Sequence, residues 1–174
     1  NRLIKAVKKV KGQTGLAAAL RIGITKEGEQ VQVSYTNPAY WGTAYFRDDY
    51  QTVEEHYNAL SDKLVAVMKK TGQFNGIDFG SKDGIEVDDL VKYRYMMGMP
   101  RFDDPVELRQ FSSFSEANDK IESNLKKGIE NVSLVYSIEI PGEDLKLYGF
   151  ALSGEDGESG FLPKIDISEP KHTA

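Results

Sequence analysis

Apolar positions at the start of the chain recur with helical spacing. Leu3, Ile4, Val7 and Val10 stand among Arg2, Lys5, Lys8, Lys9 and Lys11, and Gly12 follows as a stop. The period then changes. Leu16 to Thr25 opens apolar and alternates through Leu20, Ile22 and Ile24, and Lys26 to Glu29 reads as a turn. Val31, Val33 and Tyr35 then alternate against Gln30, Gln32 and Ser34, which completes a β-hairpin. Asn37-Pro38 ends it, because proline cannot donate to a ladder. A long helix is expected beyond the aromatic stretch at 40–50. Thr52 with Glu55 fits a capping box, and Val53, Tyr57, Leu60, Leu64 and Val67 form one stripe. Lys69 and Lys70 complement the dipole at its end, before Gly72. Glycines and prolines break up 73–105, where Leu90 to Met97 fits either a strand or a short helix.

The last third is more regular. Val106 to Phe111 reads as a strand, and Ser113 with Glu116 offers a second capping box. Ala117, Ile121 and Leu125 face one way until Gly128. Val132, Leu134, Tyr136, Ile138 and Ile140 alternate, Pro141 to Asp144 makes a turn, and Leu145 to Leu152 returns as a more fully apolar strand. Ser153 to Gly160 is a polar, acidic loop, and Phe161 to Ile165 reads as a short helix.

The two hairpin regions superpose at an ungapped offset of 116 positions: Leu20, Ile22 and Ile24 fall on Tyr136, Ile138 and Ile140, and Val31 falls on Leu147. A helix precedes each hairpin. The expected fold class is therefore α+β, built from duplicated helix-hairpin units with antiparallel sheets and helices on one face. The order strand, helix, strand, strand resembles a ferredoxin-like sandwich. On that reading residues 1–100 form a first ferredoxin-like unit lacking its first strand, and 101–174 form a second lacking its last strand. The resemblance is one of fold and implies no function.

Composition narrows the chemistry. The chain has 174 residues with 40% hydrophobic and 28% charged positions, which suits one domain or two small ones. Cysteine is absent, so disulfides, thiolate catalysis and thiolate-bound zinc or iron–sulfur centres are excluded. No apolar run reaches the length of a membrane span, and Asn1 does not open a signal peptide, so a cytoplasmic protein without stable membrane association is expected. The net charge of −5 argues against nucleic acid as a partner. The basic first helix is read as packing on its own sheet rather than on an anionic surface.

Candidate chemistry gathers in residues 35–50, which hold Tyr35, Tyr40, Trp41, Tyr45, Phe46 and Tyr50 against a chain average of 10% aromatic. One reading makes these a ligand-contacting patch of Tyr40, Trp41 and Tyr45, with Arg47 and Asp49 as polar contacts. The other makes them a connection packed over the end of a sheet. Met96, Met97 and Met99 are read as core or subunit-interface packing, since no cysteine or adjacent histidine joins them as a copper ligand. His56 is read as a flank position of the long helix, and a three-histidine metal site is impossible with only His56 and His172. Gly154 to Gly160 lacks the lysine of a phosphate cradle, and serine-nucleophile motifs are absent. No cofactor or metal is called for.

Three functional readings follow. The leading one is a non-enzymatic module that binds a small apolar or aromatic ligand or associates with itself as a homo-oligomer. The second is an enzyme using carboxylate, tyrosine and His56 as acid–base groups on a ring-bearing substrate, which requires Tyr45, Asp49 and His56 to converge. The third is a purely structural assembly domain.

Overall fold

A computed structural model describes residues 2–10, 13–72, 84–94 and 96–155, together with 74, 76, 78, 80, 157, 160 and 163. Within them the fold is α+β, with two small antiparallel sheets and helices. The elements run α1 (Arg2–Lys9), a 3-10 turn (Gln13–Ala18), β1 (Ile22–Glu27), β2 (Gln30–Tyr35), α2 (Pro38–Phe46), α3 (Tyr50–Thr71), α4 (Val87–Lys92), α5 (Phe114–Lys127), β3 (Val132–Glu139) and β4 (Lys146–Leu152). The chain divides into two compact units, 1–22 with 34–106 and 23–33 with 107–174. The Lys11-Gly12 stop, His172 and, apart from Pro163, the helix expected at 161–165 lie outside the described residues.

The first unit is organised around α3, which packs against α1 and α2. Val53, His56, Tyr57 and Met68 are its buried positions. The stripe read from the sequence therefore ends on Met68 rather than Val67, which faces out. The helix starts at Tyr50, earlier than the Thr52–Glu55 capping box would allow. The Thr52 hydroxyl donates instead to the Asp49 carbonyl at 2.8 Å, and Glu55 meets Lys9 of α1 at 3.4 Å. Leu3, Ala6 and Val7 of α1 are buried, but they pack on α3 and on residues 13–18 rather than on a sheet. Those latter residues wind as a 3-10 turn, so the first strand begins at Ile22 and not near Leu16. The Tyr57 hydroxyl reaches back to that turn, donating to the Ala17 carbonyl at 3.2 Å.

Both expected hairpins form. Gly28 and Glu29 join β1 to β2, and such a two-residue turn sets Ile24 opposite Val33. The Thr36 N–H donates to the Arg21 carbonyl at 3.0 Å, which continues the same register. In the second unit β3 pairs antiparallel with β4, Val132 opposite Leu152 and Glu139 opposite Lys146. A bulge between Leu134 and Tyr136 leaves Val135 without an opposite number. It interrupts the period of two, so Leu134 pairs with Phe150, whereas Tyr136 and Ile138 pair with Gly149 and Leu147 on the other face. The unbroken alternation read from the sequence is thus split between two faces. On the Phe150 face, α5 docks by polar contacts: Lys146 pairs with Glu122 at 2.8 Å, and the Tyr148 hydroxyl donates to the Asn118 carboxamide at 3.1 Å. The α5 cap is close to that read from the sequence. The Ser113 hydroxyl accepts the Glu116 N–H at 3.1 Å, while Glu116 reaches back to Ser112 rather than to Ser113 itself.

Among the described residues each sheet is two-stranded. Val106 to Phe111 is not a strand, and the segment at 90–97 enters α4 rather than closing a sheet. The 116-position offset holds between β2 and β4, but β1 and β3 end at Glu27 and Glu139, and the connection 140–145 is longer than Gly28-Glu29. Met96, Met97 and Met99 are exposed, with Met97 at 98%, which removes the core reading of that segment.

The α2–α3 contact depends on Gly42, where an added Cβ would sit 2.5 Å from the Tyr50 ring and 3.0 Å from the Tyr57 ring. Alanine favours a helix over glycine by about 1 kcal/mol. Overpacking commonly costs about 1–3 kcal/mol, and the buried Tyr57 has little room to retreat. Gly42→Ala is therefore expected to lower the unfolding midpoint in urea, against the propensity trend; an unchanged or raised midpoint would show that α2 moves freely away from α3.

Candidate functional site

The aromatic stretch forms a helix because Asn37-Pro38 starts one. The Asn37 carboxamide oxygen accepts the N–H groups of Ala39 and Tyr40 at 3.0 and 3.4 Å, and Pro38 occupies the first turn, where its missing N–H costs nothing. The dipeptide that closes the hairpin thus also opens α2. Helical geometry then sorts the rings. Phe46 faces α3, with its ring centroid 5.8 Å from that of Tyr57. Trp41 and Tyr45, one turn apart, meet edge to face at 4.8 Å on another side.

Phe102 completes this second cluster. Its ring lies edge-on to Tyr45 at 5.4 Å, to Tyr40 at 6.3 Å and to Trp41 at 6.4 Å. Tyr40 is at the border of exposure, and Trp41, Tyr45 and Phe102 are half-buried. The indole Nε1 of Trp41 is closed off from solvent and meets no acceptor among the described residues. A buried donor left unpaired costs about 1–3 kcal/mol, so this atom is a point of unused hydrogen-bonding capacity in an aromatic cluster.

Arg47 follows α2 with φ at 50°, a left-handed conformation uncommon for a side-chain-bearing residue, and it separates α2 from α3. Its side chain is buried, and the guanidinium donates to the Asp103 carboxylate and to the carbonyls of Val91 and, at 3.4 Å, Tyr93. Those carbonyls lie at the C-terminal end of α4, where the last turn leaves acceptors unpaired. Of the five residues singled out in the sequence, the structure brings Tyr40, Trp41 and Tyr45 into one cluster. It ties Arg47 to Asp103, the neighbour of Phe102 in the chain. Asp49 it does not bring in: this residue is exposed in the turn before α3, and its carboxylate makes no cap there. Sequence reasoning missed Phe102 and Asp103 as members, since nothing in the 73–105 segment marks which residues return to α2.

His56 is buried, not a flank residue, because α1 covers that side of α3. Neither imidazole nitrogen has a hydrogen-bond partner among the described residues, and Glu55 stands 3.7 Å from Nε2. Burial lowers the His56 pKa, and the nearby charge of Lys9 lowers it further; Glu55 opposes this, while Arg2 and Lys5 add to it. Burial likewise raises the Tyr57 phenol well above its ordinary range, which leaves it a neutral hydrogen-bond donor. Among the described residues no group of three or more His, Asp or Glu side chains is placed to hold a metal ion. No helix there is long and apolar enough to cross a membrane. An open depression of about 320 Å³ lies along α5, lined by Asp119, Glu122, Ser123, Lys126 and Lys127, and it shares no residue with the aromatic cluster. No family model matches the chain, and no curated protein or solved structure matches it either.

The His56 environment sets a pH dependence. The folded chain disfavours the imidazolium, so as the pH falls the unfolded chain takes up this proton first. The His56 contribution is complete above about pH 6.5, the ordinary histidine value, and declines below it until the folded imidazole itself titrates. Denaturant unfolding across pH 8 to 5 is expected to show a loss of stability in wild type that His56→Phe reduces; equal slopes in the two proteins would place the imidazole in contact with water. Replacing Arg47 by lysine leaves a single ammonium in place of the guanidinium fork, and is expected to cost about 2–3 kcal/mol by the same assay.

Proposed function

We propose that the chain is a non-enzymatic binding module that takes a small apolar or aromatic ligand on the cluster formed by Tyr40, Trp41, Tyr45 and Phe102. The observation that carries this reading is the Trp41 indole N–H, buried without an acceptor among the described residues beside rings that remain partly accessible. A binding surface combines apolar area with a few unspent polar groups that orient what it holds, and this cluster has both. Rings that only filled a core would be expected to leave no donor unpaired. The enzyme reading draws less support. His56 is covered by α1 and its charged surroundings are Lys9, Glu55, Arg2 and Lys5, while Asp49 points to solvent from a separate turn.

Self-association is the second reading, and the first hairpin favours it. Ile22, Ile24, Val31 and Val33 share one face by the register of the turn, and all four are exposed, Ile24 at 73%. An exposed apolar hairpin face is a surface on which a second copy can pack. Duplication of a helix-hairpin unit with a ferredoxin-like ancestry remains part of the proposal about origin. The matching offset of β2 and β4 supports it, and the unequal connections 28–29 and 140–145 count against it.

Two substitutions separate ligand contact from packing. Trp41→Phe keeps a ring in the cluster and deletes the unpaired donor, so stability is expected to stay level or rise by about 1 kcal/mol. Trp41→Ala removes contact area as well and is expected to weaken ligand binding by roughly 2 kcal/mol. The measurement is a screen of small aromatic and apolar compounds by Trp41 fluorescence, with hits repeated on both variants by calorimetry. A stability loss of about 3 kcal/mol or more in Trp41→Phe, with no compound responding, would make the cluster a packing element.

A further inference from the structure

Phe102 and Asp103 reach the α2 surface from an unusual segment. Residues 96–106 contain neither helix nor strand, and within them Phe102 and Asp103 alone are not exposed. The segment is braced mainly by its own turns. The Met99 N–H donates to the Met96 carbonyl at 3.0 Å, the Asp104 N–H to the Arg101 carbonyl at 3.2 Å, and the Arg101 N–H to the Asp104 carboxylate at 3.0 Å. The strap thus presents two adjacent side chains and rests on α2 through them. One is a ring set edge-on among Tyr40, Trp41 and Tyr45; the other is a carboxylate on the Arg47 guanidinium.

We propose that the α2 surface is a site for a ligand joining an aromatic ring to a carboxylate, and that Phe102-Asp103 occupies it as an exchangeable surrogate. The proposal rests on the reading of the aromatic cluster as a ligand surface and adds the class of ligand. The two halves of the site supply different chemistry. Edge-to-face rings select a flat aromatic group, each such contact being worth about 0.5–1.5 kcal/mol beyond area burial. The guanidinium gives a carboxylate a charge-assisted bond, and its two terminal nitrogens each donate to a backbone carbonyl, of Val91 and of Tyr93, so the group is already oriented. Asp103 keeps 35% of its side chain exposed while Arg47 keeps 9%, so an incoming carboxylate approaches from the Asp103 side. The strap competes intramolecularly, which weakens the apparent affinity of a free ligand in proportion to the time the site is filled. A segment anchored at two half-buried side chains belongs to the low-stability end of local opening.

The test uses the whole chain and three probes: acetyl-Phe-Asp-amide, 3-phenylpropionate, and 3-phenylpropionamide as the ring without its carboxylate. Trp41, the one tryptophan, reports binding. In the double variant Phe102→Ala, Asp103→Ala, both carboxylate probes are expected to bind at least about tenfold more tightly than to wild type, and the amide at least about tenfold more weakly than its acid. Equal affinities of wild type and variant, or of acid and amide, overturn the proposal. So does a variant that keeps its α3 amide protection and responds to neither carboxylate probe. Should the variant not fold, hydrogen exchange on wild type decides. With acetyl-Phe-Asp-amide at millimolar concentration, the Met99 and Asp104 amides are expected to exchange several-fold faster, and unchanged exchange overturns the proposal. A compound from the fluorescence screen that binds at Trp41 while all three probes stay silent leaves the ligand-surface reading intact and removes the ring–carboxylate class. Silence of every compound removes both.

Discussion

The buried Arg47 guanidinium is the contact on which the first unit depends. A cation withdrawn from water is tolerated only where acceptors replace its hydration, and here three do so from two stretches of chain. Val91 and Tyr93 lie at the end of α4, and Asp103 lies on the strap that follows. Arg47 itself stands at the junction of α2 and α3 in a left-handed conformation, which is held because the side chain is so fully engaged. One residue therefore ties the junction of two helices to a segment more than forty residues away in sequence. It works beside two apolar contacts, the buried Leu90 of α4 and the Phe102 ring of the strap.

That arrangement explains why α2 has two different faces. Gly42 and Phe46 are pressed against Tyr50 and Tyr57 of α3, where even a methyl group lacks room. On the Trp41–Tyr45 side the ring contact comes from Phe102, carried by the strap that also bears the Arg47 partner Asp103. Packing on the α3 side is continuous with the core, because Tyr57 also binds the Ala17 carbonyl.

How far the sequence discloses this follows from the range of each interaction. Local signals were legible: the turn at Gly28, the alternation of β1 and β2, the cap at Ser113 and the turn near Pro141 all act within a few residues, and both hairpins and α5 form, although β1 runs Ile22–Glu27 rather than from Leu16 to Thr25. Asn37-Pro38 was read correctly as an end but not as a beginning, since the same dipeptide serves a strand before it and a helix after it. The bulge at Val135 was invisible because a period of two carries no mark where one residue is skipped. His56 was misplaced because its cover comes from α1, forty-odd residues earlier. The aromatic concentration marked three members of the cluster but not the helix that carries them, and Phe102 and Asp103 are chosen by a tertiary path that no spacing encodes.

The composition of the cluster bears on what it is for. A hydrophobic core gains by shedding polar atoms, and α2 could close its outer side with leucine or phenylalanine at lower cost than with Trp41, whose N–H is paired with nothing among the described residues. Nor does the strap need an acidic residue to hold a ring in place. Asp103 matters because Arg47 has donors to spare after meeting the α4 carbonyls. The outer face of α2 therefore keeps one unspent donor and one charge-assisted contact at the rim of an aromatic cluster, where a closed core would keep neither. This retained polarity, rather than the number of rings, is what supports the proposal of ligand contact.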